Sequence, residues 1–304
     1  MSRYRVVGAF VALAAIWGST FVVIEAGLAY LPPVLFAALR FDLAAAVLLG
    51  YATWRGHRLR PRGRSDWRYL FLGGTLLTGA HYGFLFAGEL FVSATVAAVL
   101  LGLIPIITPA LTRAVGSSER LGAGGVLGAL LGFIGVVIIA RPSPSNLAGE
   151  TVVGVGLVLA SAVSFAAGAV LLHDSESSLP AASTQGGMMA IAAVFLHAVS
   201  AVLPTERGSS AAWTPEMVAS VVYLGVVGSV VGYGLYFYLL GEIGPIELSF
   251  IEYAIPPFAA LTGFLVLGDV VTLPTALGFV AILCGFVAVK YPVLRGEWRR
   301  VANR

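Results

Sequence analysis

Few residues of this chain carry chemistry, and most of those few sit inside apolar runs. Arg40, His81 and Glu252 are ionisable groups at depth, accompanied by Trp17 with Ser19 and Thr20, by Tyr82 and Phe165, and by Tyr233 and Tyr236. Polar groups in hydrocarbon are costly, so they face a cavity or a partner. None of them forms a catalytic pattern. His-Glu-x-x-His, Gly-x-Ser-x-Gly and paired membrane aspartates are lacking, and so is a glycine-rich ATP loop. The single cysteine, Cys284, has no zinc-type neighbours. The set implies recognition of a solute rather than its conversion, with no catalytic residue, metal or cofactor expected.

Each candidate has two readings. The reference pKa of histidine lies near physiological pH, so His81 suits a substrate contact or a proton relay; a neutral histidine bonded between helices is the plainer role. Trp17 is too deep for an interfacial aromatic belt, so its indole either packs or walls an amphipathic site. Tyr233 and Tyr236 share a helix face, and hydroxyls at that depth need partners. Glu252 lies near the start of its span. It is either a proton or cation site at an inner gate or a carboxylate reaching water at the membrane surface. Arg40 sits about two turns inside its helix, at 1.5 Å per residue, from where it can snorkel outward or pair with Asp42 or Glu25. His197 makes a weaker candidate, because its helix reads as peripheral.

Membrane helices must position these groups. The chain has 304 residues, 59% hydrophobic and only 11% charged, against about 25% charged in a soluble domain. The apolar runs reach the roughly 20 residues that span a bilayer. Ten are readable, near 5–25, 34–53, 69–89, 93–113, 121–140, 152–173, 183–203, 218–240, 246–267 and 273–291. The first is too long for a signal peptide and reads as a retained helix. Short turn-forming stretches such as "YLPP" and "IGP" connect the runs.

Basic residues set the expected orientation. With the N-terminus in the cytoplasm, fifteen of the 18 Lys and Arg fall inside, among them Arg3, Arg5, the run "WRGHRLRPRGRSDWR" and the C-terminal group. Arg141 and Arg207 fall outside, and Arg40 is within a span. Both termini are therefore expected in the cytoplasm of a multi-pass plasma (inner) membrane protein. The net charge of +3 is a topology signal, with lipid headgroups rather than nucleic acid as its partner. A homodimer is compatible with the sequence.

The chain also repeats itself. "HYGFLF…GLIPIITPALT" aligns with "GYGLYF…YAIPPFAALT", placing Tyr82 on Tyr233, Gly83 on Gly234, Phe86 on Phe237 and Pro105 on Pro256. Further on, Gly128 meets Gly278 and Gly135 meets Gly285; at the start, Trp17 corresponds to Phe165. Five spans per repeat is an odd number, so the second copy enters from the opposite side. Residues 1–141 and 151–291 thus read as two inverted five-helix repeats, with a basic cytoplasmic tail at 292–304. Inverted repeats with interrupted helices suit a secondary transporter. Pro105, Pro256 and Pro257 mark expected helix bends that flex during gating, although Pro257 has no repeat partner.

In its segments "ALAAIWGSTFVVIEAGL", "AALRFDLAAAVLL", "VLGALLGFIGVVII" and "LSFIEYAIPPFAALTG", the chain resembles drug/metabolite transporters with two EamA-type domains. The resemblance implies ten helices and the movement of small metabolites, often amino acids, amines or drugs, with export the commoner direction. It also implies a tether or gate role for Arg40 in "LRF", and strengthens the cavity reading of Trp17. The expected function is a secondary transporter working by alternating access. A channel-like facilitator is the alternative, and an intramembrane enzyme a more distant one.

Overall fold

The computed structural model describes residues 3–92, 97, 100–114, 123–140, 150–173, 175–206, 213–267, 273, 276–278, 280–285 and 287–288. The basic tail at 292–304 lies outside them. Among the described residues all regular structure is helical. The helices are α1 Arg3–Leu28, α2 Pro33–Trp54, α3 Arg64–Gly88, α4 Ile104–Ala114, α5 Ala123–Ala140, α6 Glu150–His173, α7 Ala181–Val202, α8 Pro215–Ser249, α9 Ile251–Leu267 and α10 Ala276–Gly285. Six of these, α1, α2, α3, α6, α7 and α8, are long and apolar enough to cross a membrane, and shorter apolar stretches lie in α5, α9 and α10. The chain is an all-α, multi-pass membrane protein.

Local chemistry sets the helix ends. Pro33 opens α2 and Pro215 opens α8, where a missing N–H costs nothing. The Thr214 hydroxyl accepts the Met217 N–H at 3.2 Å as an N-cap. The N–H groups of Val34 and Leu35 donate to the Glu206 carboxylate at 3.1 and 3.0 Å, so a distant acid caps α2. "IGP" is a sharp turn: Gly244, at φ 77°, takes the left-handed conformation that glycine permits, and Pro245 follows it.

Two elements were not foreseen. Gly73–Ala80 within α3 and Tyr223–Val231 within α8 are π-helical. In the repeat register of Tyr82 and Tyr233, these segments coincide. Each widened turn frees carbonyls, and a hydroxyl recovers them. Thr78 donates to the carbonyls of Gly73 and Gly74, and Ser229, its equivalent, donates to that of Leu224. The signal was a cluster of small residues with a hydroxyl at equivalent places, Thr78 in "GGTLLTGA" and Ser229 in "YLGVVGSVV", which reads equally well as ordinary close helix packing.

The prolines of the two halves meet different local structure. The helical path breaks at Gly102–Leu103, just ahead of Pro105, but runs through Pro256 and Pro257 inside α9. These two prolines lie early in their helix. The chain is redirected before them, at Gly244 and by tight bonds from Phe250 N–H to Glu247 and from Tyr253 N–H to Phe250.

The halves bury their helices against each other. α2 packs along α7 and against α8, α7 packs against α3, α1 lies along α9, and α4 contacts α6. The close approaches recur in equivalent places. A Cβ at Gly74 would lie 2.7 Å from the Met188 carbonyl oxygen, and one at Gly225 would lie 3.0 Å from that of Arg40.

Candidate functional site

Where α1, α3, α4, α6 and α9 converge, they leave one narrow internal cavity. Its walls are Trp17, Thr20, Phe21 and Ile24 from α1; His81, Tyr82 and Leu85 from α3; Leu101 ahead of α4; Phe165 from α6; and Glu252 and Ile255 from α9. The empty space amounts to about 350 Å³, but a water centre fits in only about 20 Å³ of it. The site is therefore narrow.

Aromatic rings build a large part of the wall and pack behind it. Trp17 stacks on Tyr236 with centroids 5.4 Å apart and meets Tyr233 and Phe165 edge-on at 5.6 and 6.1 Å. Its Nε1–H donates to the Gly228 carbonyl at 3.2 Å, and the Tyr233 hydroxyl donates to the Leu77 carbonyl at 3.2 Å. Leu77 and Gly228 are equivalent residues of the two π segments. Each widened turn is thus pinned by an aromatic donor of the site. Thr20 turns its hydroxyl back to the Trp17 carbonyl and presents its methyl to Gly228.

His81 both lines the cavity and is bonded between helices. Its Nδ1 lies 2.7 Å from the Ser161 hydroxyl and 3.3 Å from the Ser161 carbonyl oxygen on α6. Phe165 packs 4.8 Å from its ring. The repeat mate of His81 is Gly232, and there the Trp17 indole fills the space: a Cβ at Gly232 would lie 2.6 Å from Trp17 Nε1. A large ring over glycine in one half thus answers a smaller ring over histidine in the other.

Glu252 does not reach surface water, as one sequence reading held. It is 5% exposed and lines the cavity. Arg40 neither snorkels nor pairs with Asp42 or Glu25. It is fully buried, its Nε and one Nη donate to the Ser229 hydroxyl at 3.1 and 3.0 Å, and the guanidinium lies 4.3 Å from the Tyr82 ring centre. Asp42 is taken instead by His197 at 2.7 Å, on an exposed face away from the cavity. The other Arg40 Nη has no partner among the described residues.

Tyr233 and Tyr236 stand behind the cavity lining, buried, and pack on Phe237 at 5.9 and 5.4 Å. Beyond Phe237 opens a wider groove, with about 290 Å³ available to water centres, walled also by Tyr69, Ser177, Thr184 and Met188. The three rings therefore separate groove from cavity. Of the prolines, Pro105 and Pro256 follow the lining or buried residues Ile104 and Ile255 in sequence, and none lines the cavity.

Two carboxylates latch the ends of the bundle. Asp66 accepts from Arg62 N–H, Ser178 N–H and the hydroxyls of Ser177 and Ser178, with Arg58 3.8 Å away. Glu206 holds the start of α2 and accepts from the Ser200 hydroxyl. The two latches bracket α2, whose 22 residues span about 33 Å.

Comparison with known proteins agrees with this architecture. The chain matches the EamA-like transporter family twice, over residues 5–141 and 152–291. It is 29% identical over 273 residues to an uncharacterized transporter of Archaeoglobus fulgidus, covering 90% of this chain and 94% of the relative. It is 32% identical over 143 residues to the uncharacterized inner membrane transporter YedA of Escherichia coli K12, covering 47% of this chain and 45% of YedA. A solved crystal structure at 19% identity superposes with a TM-score of 0.75, covering 97% of this chain and 100% of the other, which speaks to the fold alone. The chain belongs to the EamA-like transporter family.

Proposed function

We propose that the protein is a secondary transporter that moves a small organic metabolite, an amino acid, amine or drug-like solute, outward across the plasma membrane by alternating access. In this reading residues 1–141 and 151–291 are inverted five-helix repeats forming ten spans, with both termini and the tail at 292–304 in the cytoplasm. The observation that carries it is the composition of the cavity wall. Trp17 and Phe165, and Leu101 and Glu252, are repeat mates, and members of both pairs line one narrow cavity. A site built at the repeat interface can be presented to either side by a rocking of the two halves.

Supporting features are the ring barrier at Tyr233, Tyr236 and Phe237, which lies between cavity and groove and suits an inner gate, and the latches at Asp66 and Glu206, which tie the helix ends together. The aromatic wall with one carboxylate suits amphipathic or zwitterionic solutes. Purified protein in proteoliposomes, screened with amino acids, polyamines and cationic drugs, tests the reading. Saturable flux with stimulation by unlabelled solute on the far side is expected. Unsaturable flux indifferent to far-side solute would show a channel instead.

A further inference from the structure

Glu252 is the one carboxylate among the cavity-lining residues, and the mate of its position, Leu101, is apolar. It makes no hydrogen bond or ion pair among the described residues, although it is 5% exposed. The hydroxyl of the adjacent Tyr253 is already committed to the Ala129 carbonyl at 2.8 Å. His81, on α3, is engaged by Ser161. Arg40, which does not line the cavity, is turned to Ser229 and lies against the Tyr82 ring. A buried carboxylate with no partner among the described residues suits a cation or a proton. The same cavity is lined by the rings of Trp17, Tyr82 and Phe165, and aromatic rings attract organic ammonium groups.

We propose that Glu252 receives the protonated amine of the transported solute, a compact alkyl- or arylammonium whose apolar part lies against Trp17, Tyr82 and Phe165. The carboxylate supplies a charge-assisted hydrogen bond and the rings supply apolar area. This assignment rests on the carrier reading and names its substrate class. It also gives the repeat asymmetry a use: one wall position is acidic, and its mate is a leucine that accepts the hydrocarbon.

Three probes of one size separate the chemistry: 2-phenylethylammonium, neutral 2-phenylethanol and anionic phenylacetate. Their binding to detergent-purified full-length protein is measured by isothermal titration. Glu252→Gln should weaken the ammonium by about tenfold or more while leaving the alcohol within about twofold, and Glu252→Asp should retain part of the ammonium affinity. Retained alcohol binding certifies that the Gln variant is folded. Unchanged ammonium affinity in Glu252→Gln, a wild-type preference for phenylacetate, or no ammonium binding by the wild type up to about 10 mM would overturn the assignment. Flux keeps the two readings apart. Saturable transport of an uncharged solute that survives Glu252→Gln would leave the carrier standing while the amine site falls. Glu252-dependent binding without any flux would do the reverse.

Discussion

Arg40 carries a permanent charge in the core with hydroxyl and ring partners but no carboxylate among its described contacts. A guanidinium so placed depends on those few partners, and losing one leaves donors buried and unpaired. Ser229→Ala should therefore destabilise the protein by about 1–3 kcal/mol, seen as a lower unfolding midpoint in detergent. Arg40→Met, which installs the residue type found at the equivalent Met188, removes the demand for a partner. The double variant should then be less destabilised than the sum of the singles, and strict additivity would show the pair uncoupled. At the cavity wall, Trp17→Ala and Tyr82→Ala should each lower flux at unchanged membrane insertion. Gly232→Ala should do so as well, since its methyl displaces the indole from the Gly228 carbonyl. Wild-type flux in all three would place the substrate elsewhere.

At the scale of elements, the π segments and the latches decide how the helices hold together. Asp66 binds the 175–179 connection and Glu206 binds the start of α2, at opposite ends of the bundle. Asp66→Ala should speed amide hydrogen exchange at 175–179 while leaving 33–36 protected, and Glu206→Ala should do the opposite. Loosening of both ends by either change would mean that the latches are not separate devices. Helix positions were legible in the sequence because hydropathy and turn chemistry act locally: "YLPP" and "IGP" fall where chain direction changes. The π segments were not, because a widened turn is stabilised by carbonyl partners from distant helices, Tyr233 to Leu77 and Trp17 to Gly228. The depth of Glu252 was obscured for a related reason. Its distance from water is set by the helices that wall the cavity with it, not by its place in an apolar run.

For the whole molecule, the proposed topology puts the α2–α3 and α6–α7 connections on the cytoplasmic side and the α7–α8 connection outside. In a Cys284→Ser background, cysteines at Leu59 and Glu176 should react with a membrane-impermeant maleimide only from the cytoplasmic face, and one at Trp213 only from the other. Labelling of Leu59 and Trp213 from the same face would reject the arrangement. The repeat that underlies it was readable from matched residues such as Tyr82 with Tyr233, since these keep the same side-chain type. Harder to read was the exchange of bulk between the halves, which no aligned pair displays by itself. Trp17 sits on Gly232 and Phe165 on His81; Thr20 sits on Gly228, and Leu77 meets Gly168. Such packing ties the fate of positions far apart in the chain. A lineage that enlarges residue 232 must shrink residue 17, and one that trims residue 81 leaves a hole beneath residue 165. Among relatives, drift at these sites should therefore proceed by coupled steps, with 17 and 232 varying together, and 81 with 165, more than any of them varies alone.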